Sequence, residues 1–190
     1  MLDELRQAEQ LGLGQAFISE RLNVKEACAL SGAAGAATDS IGITTAATNI
    51  STRHPAVTAA FATTMHRLTG GRFTLGVGRG LRPQIAGMGL EQTTTVQLEE
   101  FAHLMRRLWC GEVVRDYDGP LGRFPVLRLD PTFDEDIPLG TTHSVRRPSR
   151  WPGAPTTWWS CTRSSPTRPP PASCARSADR PNGRAAIRPR

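Results

Sequence analysis

Helical and strand-like patterns alternate along the first 140 residues, and this alternation restricts the fold more than any other feature of the sequence. Three helical patterns each precede a short apolar run: 2–11 before 16–18, 25–37 before 41–45, and 55–68 before 73–77. Strands that are separated by helices pair in parallel, because a parallel crossover needs a connection of that length. The pattern predicts an α/β fold, either a doubly wound sheet or a (β/α) barrel, and does not choose between them.

Two further elements are predicted after this repeat. An amphipathic helix is expected from Gln92 to Trp109, with apolar side chains on one face and charged ones largely on the other. A β-hairpin is expected to turn at Gly119-Pro120, between the apolar residues 113–114 and 124–129. We therefore expect ordered structure to about residue 140.

Residues 141–190 differ in kind. They hold nine of the fifteen prolines and ten arginines against one acid, Asp179, whereas residues 1–140 hold 13 basic and 16 acidic residues. The net charge of +6 therefore originates in this segment. Because the segment has no period of about 2 or 3.6, it cannot easily bury a core. We expect an ordered domain over 1–140 and a disordered tail over 141–190.

The composition of the tail resembles a GC-rich gene read out of frame. Tryptophan is encoded only by TGG, so the bases of Trp158-Trp159 contain the valine codon GTG in the frame one base earlier. With GC-rich codons, residues 151–167 can be rewritten in that frame as a helix end followed by an apolar strand. We hypothesise that a frameshift between about Gly140 and Trp151 replaced the natural C-terminal half.

Composition also favours a cytoplasmic protein that binds neither a metal nor a membrane. The sequence has no run of about 18 apolar residues, and its start, MLDELRQAEQ, lacks the basic and apolar regions of a signal peptide. The four cysteines have no CxxC spacing, and no HExxH motif occurs. We expect no metal site.

The stretch from Thr45 to Pro55 is the most informative motif, since it runs from a strand end through a polar loop into a helix. Barrel enzymes place their chemistry at such strand ends. The small residues Ala46 and Ala47 would let a planar ring lie against the backbone, and Thr48 and Asn49 could hydrogen-bond its polar edge. An ordinary capped helix start is the plainer alternative.

A second motif, LTGGRFTLGVGRG at 68–80, follows one helix later. Together with FISE at 17–20 and TRHP at 52–55, it strongly resembles the luciferase-like family over residues 1–140. The resemblance implies a TIM-type (β/α)8 barrel, here incomplete because the chain starts at a helix without a preceding first strand. It also implies a strand-end bulge with a non-prolyl cis peptide, which falls at Ala46-Ala47.

The resemblance implies a cofactor site as well. The segment at 46–55 is closer to the branch that uses coenzyme F420, with FMN as the alternative cofactor. Ala46, Ala47, Thr48 and Asn49 would lie beside the ring. Gly76 and Gly78 would line the neighbouring strand end, where glycine permits a close approach.

Proton-transfer residues are harder to assign. Glu20 at a strand end is the leading polar candidate for catalysis, with a surface salt bridge as its alternative role. Arg21 stands where family members often have histidine, and Arg79 stands where some F420-dependent members have an acid. The two arginines could favour an anionic substrate or the acidic side of the cofactor. His54, His66 and His103 are more typical of structural or surface histidines.

The leading functional hypothesis is an F420- or FMN-dependent oxidoreductase or monooxygenase that moves a hydride between the cofactor and an organic small molecule. One alternative is a truncated, non-catalytic fragment of such an enzyme. Another is a nucleic-acid binder acting through the basic tail, which ranks low because the tail offers no folded aromatic platform. We expect no nucleic-acid or membrane partner, and the resemblance implies a homodimer.

Overall fold

The computed structural model describes residues 1–144, with side chains as far as residue 141, and the backbone of residues 157–162. The helices of these residues are α1 (Leu2–Gln10), α2 (Ala27–Ala37), α3 (Pro55–Leu68), α4 (Arg82–Gly87) and α5 (Thr95–Trp109). The strands are β1 (Gln15–Ile18), β2 (Gly42–Thr45), β3 (Thr48–Asn49), β4 (Phe73–Gly78), β5 (Val114–Gly119), β6 (Gly122–Leu127), β7 (Leu139–Ser144) and β8 (Thr157–Thr162).

The main sheet is parallel over most of its width. Strands β1, β2, β4 and β7 lie side by side in that order, and β8 adds to β7 in antiparallel orientation. The short strand β3 follows β2 after two residues and pairs in parallel with the later part of β4. The carboxyl ends of β1, β2 and β4 therefore lie along one edge of the sheet, where parallel α/β proteins place their sites.

One face of this sheet is covered by α2, α3 and α5 and holds the core. Phe73, Leu75 and Val77 alternate along β4 and are fully buried, and the ring of Phe61 on α3 meets Phe73 edge-on with centroids 5.3 Å apart. Helix α2 packs closely against the end of α3 at Gly35, where an added Cβ would lie 2.9 Å from the methyl group of Thr69. Apolar burial on this face is the main stabilising contribution, at about 1.5–3 kcal/mol per large side chain.

The side chains on the opposite face of the sheet are mostly smaller or more polar. Side chains alternate between the faces of a strand, so Thr74, Gly76 and Gly78 of β4 point away from the helices. Along β1, Gln15 and Phe17 point the same way and are exposed, Phe17 by 58%. In a closed barrel this face would line the interior.

The helix–strand units predicted from the sequence are confirmed as α1–β1, α2–β2 and α3–β4. Helix α3 has the predicted bounds because Pro55 starts it and Gly70 and Gly71, both with positive φ, follow its end. The hairpin of β5 and β6 is also confirmed, with Gly119 opposite Gly122.

The sequence did not predict α4, whose six residues are too few to show a period, and it did not predict β7, which crosses the expected boundary at residue 140. Strand β8 also departs from the expectation of a tail without regular structure. The rest of the predicted tail lies outside the described residues. Among the residues described, no helix is both long and apolar enough to span a membrane.

Candidate functional site

The ends of β2 and β4 bring the predicted cofactor residues together. Ala46 and Ala47 join β2 to β3 through a cis peptide bond, as the family resemblance implied. Thr48 then pairs with Val77, and Asn49 pairs with Gly78. All six residues proposed to contact a cofactor, namely Ala46, Ala47, Thr48, Asn49, Gly76 and Gly78, thus lie at one edge of the sheet.

Thr45 locks the two strand ends to each other, a role that the sequence analysis missed. Its buried hydroxyl donates to the Gly76 carbonyl oxygen at 2.9 Å and accepts from the Gly76 backbone N–H at 2.8 Å. A side chain that satisfies both backbone polar groups of one residue fixes the spacing between β2 and β4. The signal in the sequence was weak, because one threonine in an apolar strand reads as an ordinary β-former.

Asn49 is a polar side chain of this edge that is available to a ligand. Its register with Gly78 places it on the face that points away from the helices. It is half-buried, and its side-chain amide makes no hydrogen bond to any described residue. Its Oδ1 lies close to Gly80, where an added Cβ would come within 2.7 Å of that oxygen, and Gly80 has a φ of +71°.

Glu20 is buried, and its carboxylate is fully engaged. Its side chain is 1% exposed. One oxygen accepts from the Thr48 hydroxyl at 2.6 Å and from the Asn49 backbone N–H at 3.0 Å. The other accepts from Arg53 at 3.1 Å and from the Ala27 backbone N–H at 3.5 Å. These contacts place Glu20 beneath the strand end rather than on its open face.

Arg53 completes this network. Its Nη1 donates to the Thr48 hydroxyl at 2.7 Å, and its Nη2 bridges the carboxylates of Glu20 and Glu26. Glu26 in turn caps α2, since it accepts from the backbone N–H groups of Cys28 and Ala29. Arg53 belongs to the TRHP motif at 52–55, but the motif alone predicts no role for it.

Arg21 and Arg79 do not join this network. Arg21 is exposed, and its backbone forms a short bridge with Lys25. Arg79 is also exposed; its guanidinium donates to the Thr95 hydroxyl, and its carbonyl accepts from the Gln92 side chain at 2.8 Å. Both lie near strand ends, where an anionic group could still reach them.

The histidines have structural surroundings. The Nδ1 of His54 accepts from the Ala56 backbone N–H at 3.2 Å and so caps α3. His66 lies 3.2 Å from the carboxylate of Glu135, and His103 is exposed on α5. In the described part of the chain, no group of three or more His, Cys, Asp or Glu side chains could hold a metal ion.

Cys28 lies near Glu20 but is a poor nucleophile. Burial, together with the negative charge of Glu20, raises the pKa of the Cys28 thiol to about 12. The thiol therefore stays protonated at neutral pH.

The Gly70-Gly71-Arg72 segment lies at the opposite, amino-terminal end of β4. The Arg72 guanidinium donates to the carbonyl oxygens of Ile41, Thr38 and Thr69 at 2.6, 2.8 and 3.0 Å. It ties the end of α2, the entry to β2 and the end of α3 together. This part of the second motif therefore supports the fold rather than the site.

A cavity of about 490 Å³ lies beyond the strand edge, between the loop before α3, the start of α5 and the β5–β6 hairpin. Its lining includes Ser51, His54, Glu91, Gln97 and Phe124. The residues Ala46, Ala47, Gly76 and Gly78 do not line it. Ile50 and Arg53, which follow Asn49 in the chain, do line it, so the cavity lies next to the strand edge without including the small residues of that edge.

A parallel sheet with helices on one face and an exposed second face is typical of part of an α/β barrel. The model of the luciferase-like monooxygenase family matches residues 1–142. The chain belongs to the luciferase-like monooxygenase family.

Individual relatives agree with this family. The chain is 32% identical over 119 residues to a 5,10-methylenetetrahydromethanopterin reductase of Methanolobus tindarius, which covers 62% of this chain and 36% of the relative. The structure of coenzyme F420-dependent tetrahydromethanopterin reductase from Methanopyrus kandleri matches 73% of this chain and 45% of its own, with a TM-score of 0.63 and 22% identity.

A third match is the oxygenating constituent of 3,6-diketocamphane monooxygenase from Pseudomonas putida, solved in complex with FMN. It covers 67% of this chain and 38% of its own, with a TM-score of 0.59 and 23% identity. These structural matches establish the fold as part of a TIM-type barrel. The chain spans less than half the length of the relatives it matches.

Proposed function

We propose that the carboxyl edge of β2, β3 and β4 holds the ring of coenzyme F420, with FMN as the alternative. The whole protein would then move a hydride between that ring and an organic small molecule. The observation that carries the proposal is the convergence of two strand ends that hold small residues, Ala46-Ala47 and the glycines Gly76 and Gly78, at one edge of the sheet.

The residues at this edge suit a flat ring system. Gly76 and Gly78 have no side chains, and Ala46 and Ala47 have only methyl groups, so a ring could lie close to the backbone of both strands. Asn49 stands on the same face with a free side-chain amide, which can both donate to and accept from the polar edge of a ring. The Thr45 link to Gly76 holds the two sides of this edge at a fixed spacing.

The similar structures support a deazaflavin or flavin cofactor, but they do not choose between F420 and FMN. One similar structure is described as F420-dependent, and another contains FMN. A bound deazaflavin or flavin would supply a carbon or nitrogen that accepts and returns a hydride. This chain would supply the surface for the ring and the orientation given by Asn49.

A titration tests the proposal directly. The full 190-residue chain is mixed with F420 and, separately, with FMN at one fixed salt concentration, and the cofactor fluorescence is followed. We expect saturable binding of one cofactor and at least a tenfold weaker affinity, about 1.4 kcal/mol, for Asn49→Ala. Asn23→Ala, at an exposed loop position, is the matched control and should bind like the parent. If a folded parent binds neither cofactor, the proposal is wrong.

A further inference from the structure

Strand β3 is only two residues long, yet Asn49, its last residue, carries the amide offered to the cofactor. On one side β3 is held by its pairing with β4. On the other side it pairs with no strand among the described residues. There the Asn49 backbone N–H donates to the buried carboxylate of Glu20 instead. Such a short strand needs support beyond its own ladder to keep one conformation.

The support comes from three side chains that hydrogen-bond to one another, those of Glu20, Arg53 and Thr48. We call these three residues the strand clamp. The Thr48 hydroxyl donates to Glu20 and accepts from Arg53, so both of its roles are used in one geometry. The Arg53 guanidinium then donates back to Glu20 at 3.1 Å. Three side chains from three segments thus fix one another.

Burial makes the strand clamp specific rather than incidental. The side chains of Glu20 and Arg53 are 1% and 16% exposed, so neither charge can exchange its partner freely for water. The planar fork of Arg53 also reaches Glu26, the cap of α2. A lysine has one ammonium group and could not serve all of these acceptors in the same geometry.

The direction of these contacts separates Glu20 from the reacting face. The register pairs Thr48 with Val77, which points into the helix-covered core, and Asn49 with Gly78, which points away from it. The strand clamp therefore acts on the buried side of β3, whereas the proposed ring lies on the other side. Glu20 has no oxygen left over for a proton exchange with a substrate.

We infer that Glu20 and Arg53 are positioning residues, which hold Thr48 from behind so that the Asn49 amide meets the cofactor ring in one orientation. This inference rests on the function proposed above. It replaces a catalytic role for Glu20 with an indirect one, and it gives Arg53 a role in cofactor affinity without direct contact. A residue that only stabilises the fold would lower the melting temperature without changing the affinity of the folded protein.

The test compares two conservative variants of the strand clamp with a matched ion pair elsewhere. Glu20→Gln keeps the shape and removes the charge, and Arg53→Lys keeps the charge and removes the fork. Glu112→Gln is the control, because Glu112 accepts three hydrogen-bond contacts from the Nε and Nη2 of Arg107, also in a partly buried pair, remote from the strand edge. Each variant is measured by thermal unfolding, by cofactor titration and by residue-specific amide exchange of Asn49.

We expect both clamp variants to bind the cofactor at least tenfold more weakly at a temperature where they are fully folded. In both variants the backbone N–H of Asn49, which donates to Glu20 in the parent, should also exchange at least tenfold faster. Glu112→Gln should change the melting temperature while leaving affinity and Asn49 exchange within about twofold of the parent. Clamp variants that fold and bind like the parent, with unchanged Asn49 exchange, would overturn the inference.

A second pair of variants covers the case in which a charged variant does not fold. Thr48→Val removes the hydroxyl at constant shape, and Thr48→Ser keeps it. Serine should restore the affinity and the slow Asn49 exchange that valine loses, and equal behaviour of the two would contradict the strand clamp. If the folded parent binds neither cofactor, the proposed function fails, and Asn49 exchange alone then decides whether the clamp exists.

Discussion

At the scale of single residues, Glu9 shows how one half-buried carboxylate can organise a loop. One of its oxygens accepts from the backbone N–H groups of Asp39, Ser40 and Ile41, which form the turn between α2 and β2. These hydrogen bonds, with the largest effect from Ile41, lower the pKa of Glu9 to about 2.

This pKa makes the stability of the fold depend on acid in a defined window. The folded pKa lies below the unfolded value of about 4.3, so the contribution of Glu9 is complete above that value and disappears as the pH falls towards 2. We expect Glu9→Gln to lose less melting temperature than the parent between about pH 5 and pH 2. Glu91→Gln, at an exposed position, should follow the parent. Parallel curves for Glu9→Gln and the parent would contradict this role.

Arg72 leads to a prediction about stability alone. Arg72→Lys loses the fork that serves three carbonyl oxygens of three segments, and hydrogen bonds from a charged donor contribute about 1.5–3 kcal/mol each. We expect a loss of about 2–4 kcal/mol in the free energy of unfolding, measured with urea. Cofactor affinity of the folded variant should not change, because Arg72 lies at the other end of β4. A loss below about 0.5 kcal/mol would show that water replaces these contacts.

At the residue scale, the sequence predicted the backbone features that belong to a family motif. It did not predict the contacts between side chains from distant segments. The cis peptide at Ala46-Ala47 and the convergence of Asn49 with Gly78 followed from the family motif. The strand clamp did not, because Glu20 and Arg53 are 33 residues apart and no local pattern links them. A buried ion pair between distant segments becomes visible only after the segments are placed.

At the scale of elements, the clearest local signal is the start of α5. The Thr94 hydroxyl accepts from the Gln97 backbone N–H, and the Gln97 side chain accepts from the Thr94 backbone N–H, which together form a capping box. We expect Thr94→Ala to cost about 1 kcal/mol of unfolding free energy. Thr64→Ala, an exposed position within α3, should change stability by less than about 0.5 kcal/mol. Equal effects of the two substitutions would show that the cap is not used.

The elements that the sequence predicted well are those with a proline or glycine at their ends. Pro55 and the glycine pair Gly70-Gly71 bracket α3, and the register between Gly119 and Gly122 closes the hairpin. Helix α4 was not predicted, because six residues show less than two turns of the helical period, and β7 was not predicted, because the expected boundary at residue 140 falls within it. The choice of a barrel over a doubly wound sheet came from the family resemblance, since helix–strand alternation is common to both.

At the scale of the whole molecule, the change in composition near residue 140 coincides with the end of the family match at residue 142. We propose that a one-base slip between about Gly140 and Trp151 separates a family-like reading frame from the arginine- and proline-rich segment that follows. Sequencing the gene beside related genes should show one inserted or deleted base, after which the restored frame encodes further family-like residues. An intact frame throughout would rule the slip out.

The central claim is that a cofactor ring lies on the carboxyl edge of β2, β3 and β4. Hydrogen–deuterium exchange of the full chain, with and without saturating F420 or FMN, tests its location most directly. We predict slower exchange at residues 46–49 and 76–78 and no change around Gly70-Gly71, at the opposite end of β4. Saturable binding that protects only the cavity beneath the β5–β6 hairpin, or leaves residues 46–49 unchanged, would contradict the account.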